Sequence, residues 1–350
     1  MDRKDSSEYN SIIDFKEKQN LYFVLNKYDL NVQEIYKSRS AYKVSTTNGY
    51  VCLKKMKHGE YKAINGNILV EHLITNGFYN VPKYYKTKKG ELYVKSKKYI
   101  YYISEWIDGI ESDLSDINEA VQSVIVLAKF HSASKGIDIS KLKIKNNLRN
   151  WPVIFNDNLN DLQKFKKLIL SKKNKDYIDI AYLKHINSFY NRGLEALNFL
   201  NESRYSELSV QACDNKTISH DSIYYQNIVK RDNCYYLVDL DSIIIDLQIN
   251  DLGKLIRRLM YKSSYKWDFS KAKMLIDAYS SITPLTKDEL EIMLALIVFP
   301  HKFWKLGKKK YLKNTTWNQN KYIHKLNKMI ECDELEQKFL EEYITFLREI

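Results

Sequence analysis

A chain of 350 residues that is 44% hydrophobic, with 13 Phe and 5 Trp, buries enough apolar surface to exclude intrinsic disorder, and its length suits two lobes. An excess of 56 Lys and Arg over 43 Asp and Glu gives a formal charge of +13, so the surface attracts anionic partners without naming them. Cys52, Cys213, Cys234 and Cys332 lie far apart with no C-x-x-C pair, which indicates neither a disulfide framework nor a zinc site, and no run approaches the ~18 apolar residues of a membrane span.

The polar start Met1-Asp2-Arg3-Lys4-Asp5 lacks the apolar core of a secretory signal, so synthesis in a cytoplasm is expected. Residues 8–30 predict a helix, with Ile12, Ile13, Leu21, Val24 and Leu25 at helical spacings. Strands are predicted at Val32 to Tyr36, Ala41 to Thr46 and Tyr50 to Lys55, with Asn48-Gly49 supplying a tight hairpin turn. Alternation places Cys52 and Lys54 on one face of the third strand. Residues 61–76 predict a helix that Gly77 stops. Strands come next at 83–86, 91–95 and 99–104, and Ser104 to Gly109 reads as a crossing between lobes.

A helix capped by Ser115 or Asp116 carries Val121, Val124, Ile125 and Ala128 on one face and ends at His131, a packed helix-end histidine. Residues 137–175, rich in Lys and Asn, predict an irregular exposed insertion around Trp151-Pro152, followed by a helix over 176–202. His220 precedes Asn227 by seven residues, and a hairpin turning at Arg231-Asp232-Asn233 delivers Asp239 after the apolar run Tyr235 to Val238. Oxygen ligands at such strand ends suit Mg²⁺ held against phosphates, although an Asp ending a strand is often only a turn residue. Asp251 opens the next helix with acidic charge at its positive end. Thr286 and Glu289 predict a capping box, with Leu290, Met293, Leu294 and Ile297 facing the core until Pro300. The lysine clusters at 164–175 and 302–313 read as solvated faces; no nucleic-acid motif accompanies them. Most of the 28 tyrosines are expected as half-buried packing residues.

Leu53-Lys54-Lys55, Gly77 to Pro82, Trp106 to Gly109, Leu127 to His131, His220 with Asn227, Val238 to Asp241, Asp251-Leu252 and Phe299 to Trp304, in that order, resemble the spore coat protein CotS family. That family is a branch of the aminoglycoside phosphotransferase and choline kinase group, and the resemblance covers almost the whole chain. It implies an α+β, bilobal protein-kinase-like fold. Residues 1–105 would form a small lobe of one helix region and an antiparallel sheet, and residues 106–350 a larger, mainly helical lobe. It further implies ATP and Mg²⁺ as cofactors, Lys54 on the phosphates, backbone at Glu105, Trp106 and Ile107 on adenine, and Asn227 and Asp239 on the metal. His220, Asp221 and Ser222 would form the catalytic loop, with Asp251 bracing it.

Three departures from the family pattern bear on activity. Ser222 stands where the catalytic Asp of H-x-D-x-x-x-x-N is expected, with Asp221 displaced by one. The hairpin loop Lys37 to Ser40 has no glycine for close approach to phosphate. The helix glutamate that should anchor the lysine falls near Gly66, with Glu60 and Glu71 off the count, which leaves Lys54 without a helix anchor. The resemblance therefore implies a protein assembled into the spore coat with other coat proteins, acting mainly as a structural or binding component with a partly degraded nucleotide site. The alternative is an ATP-dependent phosphotransferase acting on a small hydroxyl or amine acceptor, with Asp221 as base.

Overall fold

A computed structural model describes residues 13–148, 150–313 and 318–350. The predicted start of the first helix at residues 8–12, the polar terminus before it, and Trp317 lie outside the described residues. Helix α1 (Phe15–Leu25) packs on a sheet of β1 (Val32–Ser38), β2 (Ala41–Thr46), β3 (Gly49–Met56), and, after α2 (Glu60–Thr75), of β4 (Tyr84–Tyr85), β5 (Val94–Ser96) and β6 (Tyr99–Glu105). Every pairing is antiparallel, and Cys52 and Lys54 oppose Ser104 and Tyr102 in the β3–β6 register. Gly49 at φ +107° makes the β2–β3 turn, and Gly77 at φ +78° ends α2, positions where a side chain would be strained. Leu21, Val24, Val44, Leu53 and Ile103 are fully buried between α1 and the sheet.

Beyond the crossing segment come β7 (Ile110–Glu111), α3 (Ile117–Ser134), α4 (Trp151–Leu170), α5 (Tyr177–Glu202) and α6 (Tyr205–Asp214). Short strands β8 (Ile218–Ser219), β9 (Ile228–Arg231), β10 (Cys234–Leu237) and β11 (Ile244–Ile245) carry the central motif. Helices α7 (Ile249–Met260), α8 (Phe269–Ser280), α9 (Lys287–Val298), α10 (His301–Gly307), α11 (Gln319–Ile330) and α12 (Asp333–Glu349) complete the chain. This is a kinase-like phosphotransferase fold, an antiparallel sheet region with a helical remainder after it. The apolar face of α2, through Leu69, Val70 and Leu73, joins the core of the helical region, so the sheet is bolted to the helices.

Several predicted elements form with their predicted chemistry. Asp116 caps α3 by accepting from the Asn118 amide, and Thr286 with Glu289 makes the reciprocal capping box of α9. The predicted irregular insertion is corrected in its second half. From Trp151 the chain is a 20-residue helix, with Pro152 in the first turn where its missing N–H costs nothing. Phe155, Leu159, Leu162, Phe165 and Ile169 form its buried stripe, with Asn158 buried beside them, and the lysines occupy the wet face.

Trp151 is itself buried, and its Nε1 donates to the Asp246 carboxylate at 3.1 Å, alongside the Asn147 amide at 2.8 Å and the Leu247 N–H at 2.9 Å. Burial nonetheless outweighs these donors and pushes the Asp246 carboxyl up to about 6, from an ordinary 3.8. The folded protein thus holds this proton more tightly than the unfolded chain does. Its contribution is fully present below 3.8 and lost as pH rises through about 6. An Asp246→Asn variant is expected to lack that part of the slope in urea midpoints measured across this window; an identical slope in both proteins would contradict the assignment.

Candidate functional site

The cleft between the sheet and the helical region is walled above by Cys52 and Lys54 of β3 and by Ser104 to Ile107 at the end of β6. Asn227, Val229, Val238 and Asp239 wall it below. The predicted cofactor residues Lys54, Glu105, Trp106 and Ile107 and the predicted metal residues Asn227 and Asp239 therefore share one cavity. The Glu105 amide is taken by the Lys83 carbonyl at 2.7 Å, and the Trp106 amide reaches the Tyr50 carbonyl at 3.4 Å. At the cleft mouth, Arg39 of the glycine-free hairpin loop pairs with Glu111 at 2.5 Å, and Lys43 pairs with Asp108 at 3.2 Å.

Lys54 is the centre of the charge arrangement. Its ammonium pairs with Asp239 Oδ1 and, at 3.0 Å, with Asp241 Oδ2. Burial alone would lower the lysine, but the Asp241 and then the Asp239 carboxylates outweigh it and hold the ammonium above its usual range. For Asp239, burial pushes up while the Lys54 charge pulls down, and the lysine wins. Asp239 sits at φ +66°, a left-handed conformation that a non-glycine residue adopts only where its surroundings enforce it. Asp241, nearly buried, also accepts from the Tyr102 hydroxyl, and Tyr102 stacks on Tyr84 with ring centroids 5.7 Å apart.

Lys54 has no α2 glutamate beside it, yet it is not unanchored. The anchor comes from Asp241 rather than from a helix glutamate. Glu60 instead lies 3.8 Å from Lys95, while Glu71 accepts from Asn67 at 2.9 Å. Gly66, where the glutamate was sought, faces the Tyr84 hydroxyl so closely that an added Cβ would collide with it. Helix α2 thus has no room for a side chain at this point. A Gly66→Ala variant is expected to lose about 1–3 kcal/mol by overpacking, against the usual gain from Gly→Ala in a helix interior. Urea denaturation decides the sign, and a stabilised variant would show that Tyr84 is free to move aside.

The catalytic-loop residues are held from behind. Asp251, buried at the start of α7, accepts from the backbone amides of His220 at 2.6 Å and Asp221 at 2.8 Å, and from His131 Nε2 at 3.0 Å. Burial raises its carboxyl, but the His131 bond and charge outweigh burial and hold it below its usual range. His131 also bonds the Tyr279 hydroxyl at 2.7 Å through Nδ1, which makes it the packed histidine expected at this helix end. His220 Nε2 donates to the Val238 carbonyl at 3.0 Å and so fixes the loop to the strand that delivers Asp239. Asn227 Nδ2 donates to the Ser222 carbonyl at 2.8 Å, with Ser222 Oγ at 3.4 Å, closing the loop on itself. Asp221, at φ +63°, directs its carboxylate to Lys254, with Asn250 Nδ2 at 3.4 Å.

Sequence reasoning missed Asp241, Tyr102 and Lys254. The second Asp of Val238-Asp239-Leu240-Asp241 was the available signal for the first of them. The donor set suits a magnesium nucleotide. Asn227 spends its amide nitrogen on the loop, which leaves its carbonyl oxygen available; this oxygen and an Asp239 carboxylate oxygen could hold a cation, with phosphate oxygens and water completing the shell. Among the described residues no group of three or more His, Cys, Asp or Glu could hold a metal alone.

The family model described as "Spore coat putative kinase YutH" matches residues 21–343 of this chain. Spore coat protein S of Bacillus subtilis (strain 168) is 27% identical over 305 residues, which is 87% of this chain and 86% of that protein. Among solved structures, an aminoglycoside phosphotransferase from Alicyclobacillus acidocaldarius subsp. acidocaldarius superposes with a TM-score of 0.85 at 17% identity, covering 99% of this chain and 100% of that one. Amicoumacin kinase hAmiN, in complex with AMP-PNP, Ca²⁺ and Ami, gives a TM-score of 0.60 at 12% identity over 94% of each chain. At these identities the structural likenesses establish the fold.

Proposed function

The chain belongs to the YutH family of spore coat kinase-like proteins, and from that membership we propose that it serves in the spore coat as a Mg²⁺-nucleotide-binding component whose phosphoryl transfer is slow. The observation that carries the binding half is the Lys54–Asp239–Asp241 cluster in the cleft, where a preorganised cation and carboxylates await phosphate and metal. Lys54 would neutralise phosphate charge, and Asn227 and Asp239 would hold the metal. Backbone at Glu105 and Ile107 would face the base. Mg²⁺, once bound, supplies charge neutralisation between the phosphates and the carboxylate.

The slow half rests on Ser222 and Asp221. A serine is neutral at pH 7 and cannot take the acceptor's proton, and the neighbouring carboxylate is engaged by Lys254. A positioned base is worth ~10²–10⁴-fold in rate, so its loss leaves transfer weak rather than absent. The B. subtilis relative, a spore coat protein by name, supports placement among coat proteins. No helix among the described residues is long and apolar enough to cross a membrane.

Thermal melting with and without MgATP tests the binding. At a hundred times its dissociation constant a ligand stabilises the folded state by about 2.7 kcal/mol, so the melting point should rise with MgATP and remain fixed in Asp239→Ala. A wild type whose melting point ignores millimolar MgATP would remove the proposal.

A further inference from the structure

The lysines over 302–313, which in sequence resemble a solvated face, do not all face outward. Lys302 and Lys305 of α10, Lys309 of the π-helical turn after it, and His324, Lys325 and Lys328 of α11 line one hollow. Tyr261, Leu306 and Met329, all buried, are its apolar lining. We propose that this hollow is an anion-binding subsite for a small ligand carrying two or more phosphate or carboxylate groups. It would act on the acceptor side of the loop 220–227, and this placement rests on the reading of that loop as the transfer loop.

The charge balance of the hollow is one-sided. Among the described residues no carboxylate lies within 4.0 Å of Lys302, Lys305 or Lys328, whereas Lys310, one residue past Lys309, pairs with Asp176 at 2.6 Å. The acid whose charge reaches Lys302, Glu336, is already held by Arg192 at 2.8 Å. Lys302 rests its ammonium 3.5 Å from the centroid of the Tyr261 ring, a substitute for an anion. Burial first, then Lys328 and Arg257, push the Lys302 ammonium down to about 7, and burial with Arg257 and Arg258 lowers Lys305. Lys302, Lys305 and Lys328 are thus gathered around an apolar lining without a carboxylate beside them, and an anionic ligand would relieve their mutual repulsion.

The hollow is joined to the loop by charge. Lys254, which holds Asp221, and Arg258, whose guanidinium donates to the Ile223 carbonyl, both act on Lys305. Lys254 and Arg258 lie on α7, whose C-terminal cap residue Tyr261 lines the hollow, so a cationic acceptor would be repelled on this side of the loop. The shape favours a small ligand over a nucleic acid. A strand-binding groove needs successive aromatic platforms, and here the lining offers a single phenol ring, already covered by Lys302, and the imidazole of His324.

The test is calorimetric titration of the full chain with inorganic pyrophosphate at about 0.15 M salt, where exposed charges are screened. Wild type, Lys54→Met and a Lys302→Gln/Lys305→Gln double variant are compared, with spermidine and a single-stranded oligonucleotide as alternative probes. Saturable one-site binding is expected in wild type and in Lys54→Met, weakened about a hundredfold in the double variant, tenfold for each charged contact removed. MgATP binding by the double variant should be unchanged, which also reports that it is folded. Loss of pyrophosphate binding in Lys54→Met with retention in the double variant would place the anion in the nucleotide cleft and overturn the proposal. So would absence of saturable binding at millimolar pyrophosphate, or tighter binding of spermidine or the oligonucleotide. Failure of MgATP binding with pyrophosphate binding intact would remove the nucleotide reading alone.

Discussion

An Asp251→Ala variant is expected to lose about 3–5 kcal/mol of stability at neutral pH, the range for breaking a buried charge network by removing one partner. The reason is local. Asp251 has both oxygens engaged, by the amides of His220 and Asp221 and by His131, and alanine would leave two backbone donors and a ring nitrogen buried without acceptors. A domain is stable by only about 5–15 kcal/mol, so the loss would be a large part of the total. The pH dependence has the opposite sign from that of Asp246. Because the folded carboxyl of Asp251 is held below its ordinary 3.8, its stabilisation is present above that value and lost as pH falls through the lower one. Urea midpoints at neutral and acid pH measure both effects; a loss under about 1 kcal/mol at neutral pH would mean that the loop is held by other contacts.

The second large effect is a gain. Ser222→Asp is expected to raise ATP turnover by about 10²–10⁴-fold while leaving MgATP affinity nearly unchanged. Ser222 Oγ already lies 3.4 Å from Asn227 Nδ2, so a carboxylate grown from the same backbone would find a donor to orient it. The neighbour at 221 does not compete for the role, since Lys254 and Asn250 hold its carboxylate on α7. Steady-state hydrolysis of ATP, with water as acceptor, measures the gain. A variant that binds MgATP as the wild type does but turns over no faster would show that something other than the missing base limits transfer.

Much of the sheet region was legible because its signals are local. Asn48-Gly49 sets the hairpin, and alternation in β3 sends Cys52 and Lys54 to one side, the side that proves to wall the cleft. The caps of α3 and α9 came from side chains that bond their own backbone. Helix α4 was missed because its wet face carries so many Lys and Asn residues that composition masked the period of Phe155, Leu159, Leu162 and Ile169. The Lys54 anchor was missed for a different reason. Its partner is 187 positions away along the chain, and whether Gly66 leaves a vacancy or a filled space depends on Tyr84, which arrives from another strand. The lysine hollow is similar: residues 302–313 read as an exposed run until the fold brings α10 against α11.

The most direct test of a magnesium nucleotide held by Lys54 and Asp239 is isothermal calorimetry of MgATP against wild type, Lys54→Ala and Asp239→Ala, with EDTA as the metal-free control. Binding in the wild type that disappears in both variants and without the metal is the predicted result. No heat of binding at millimolar MgATP, or binding that survives both substitutions, would contradict it.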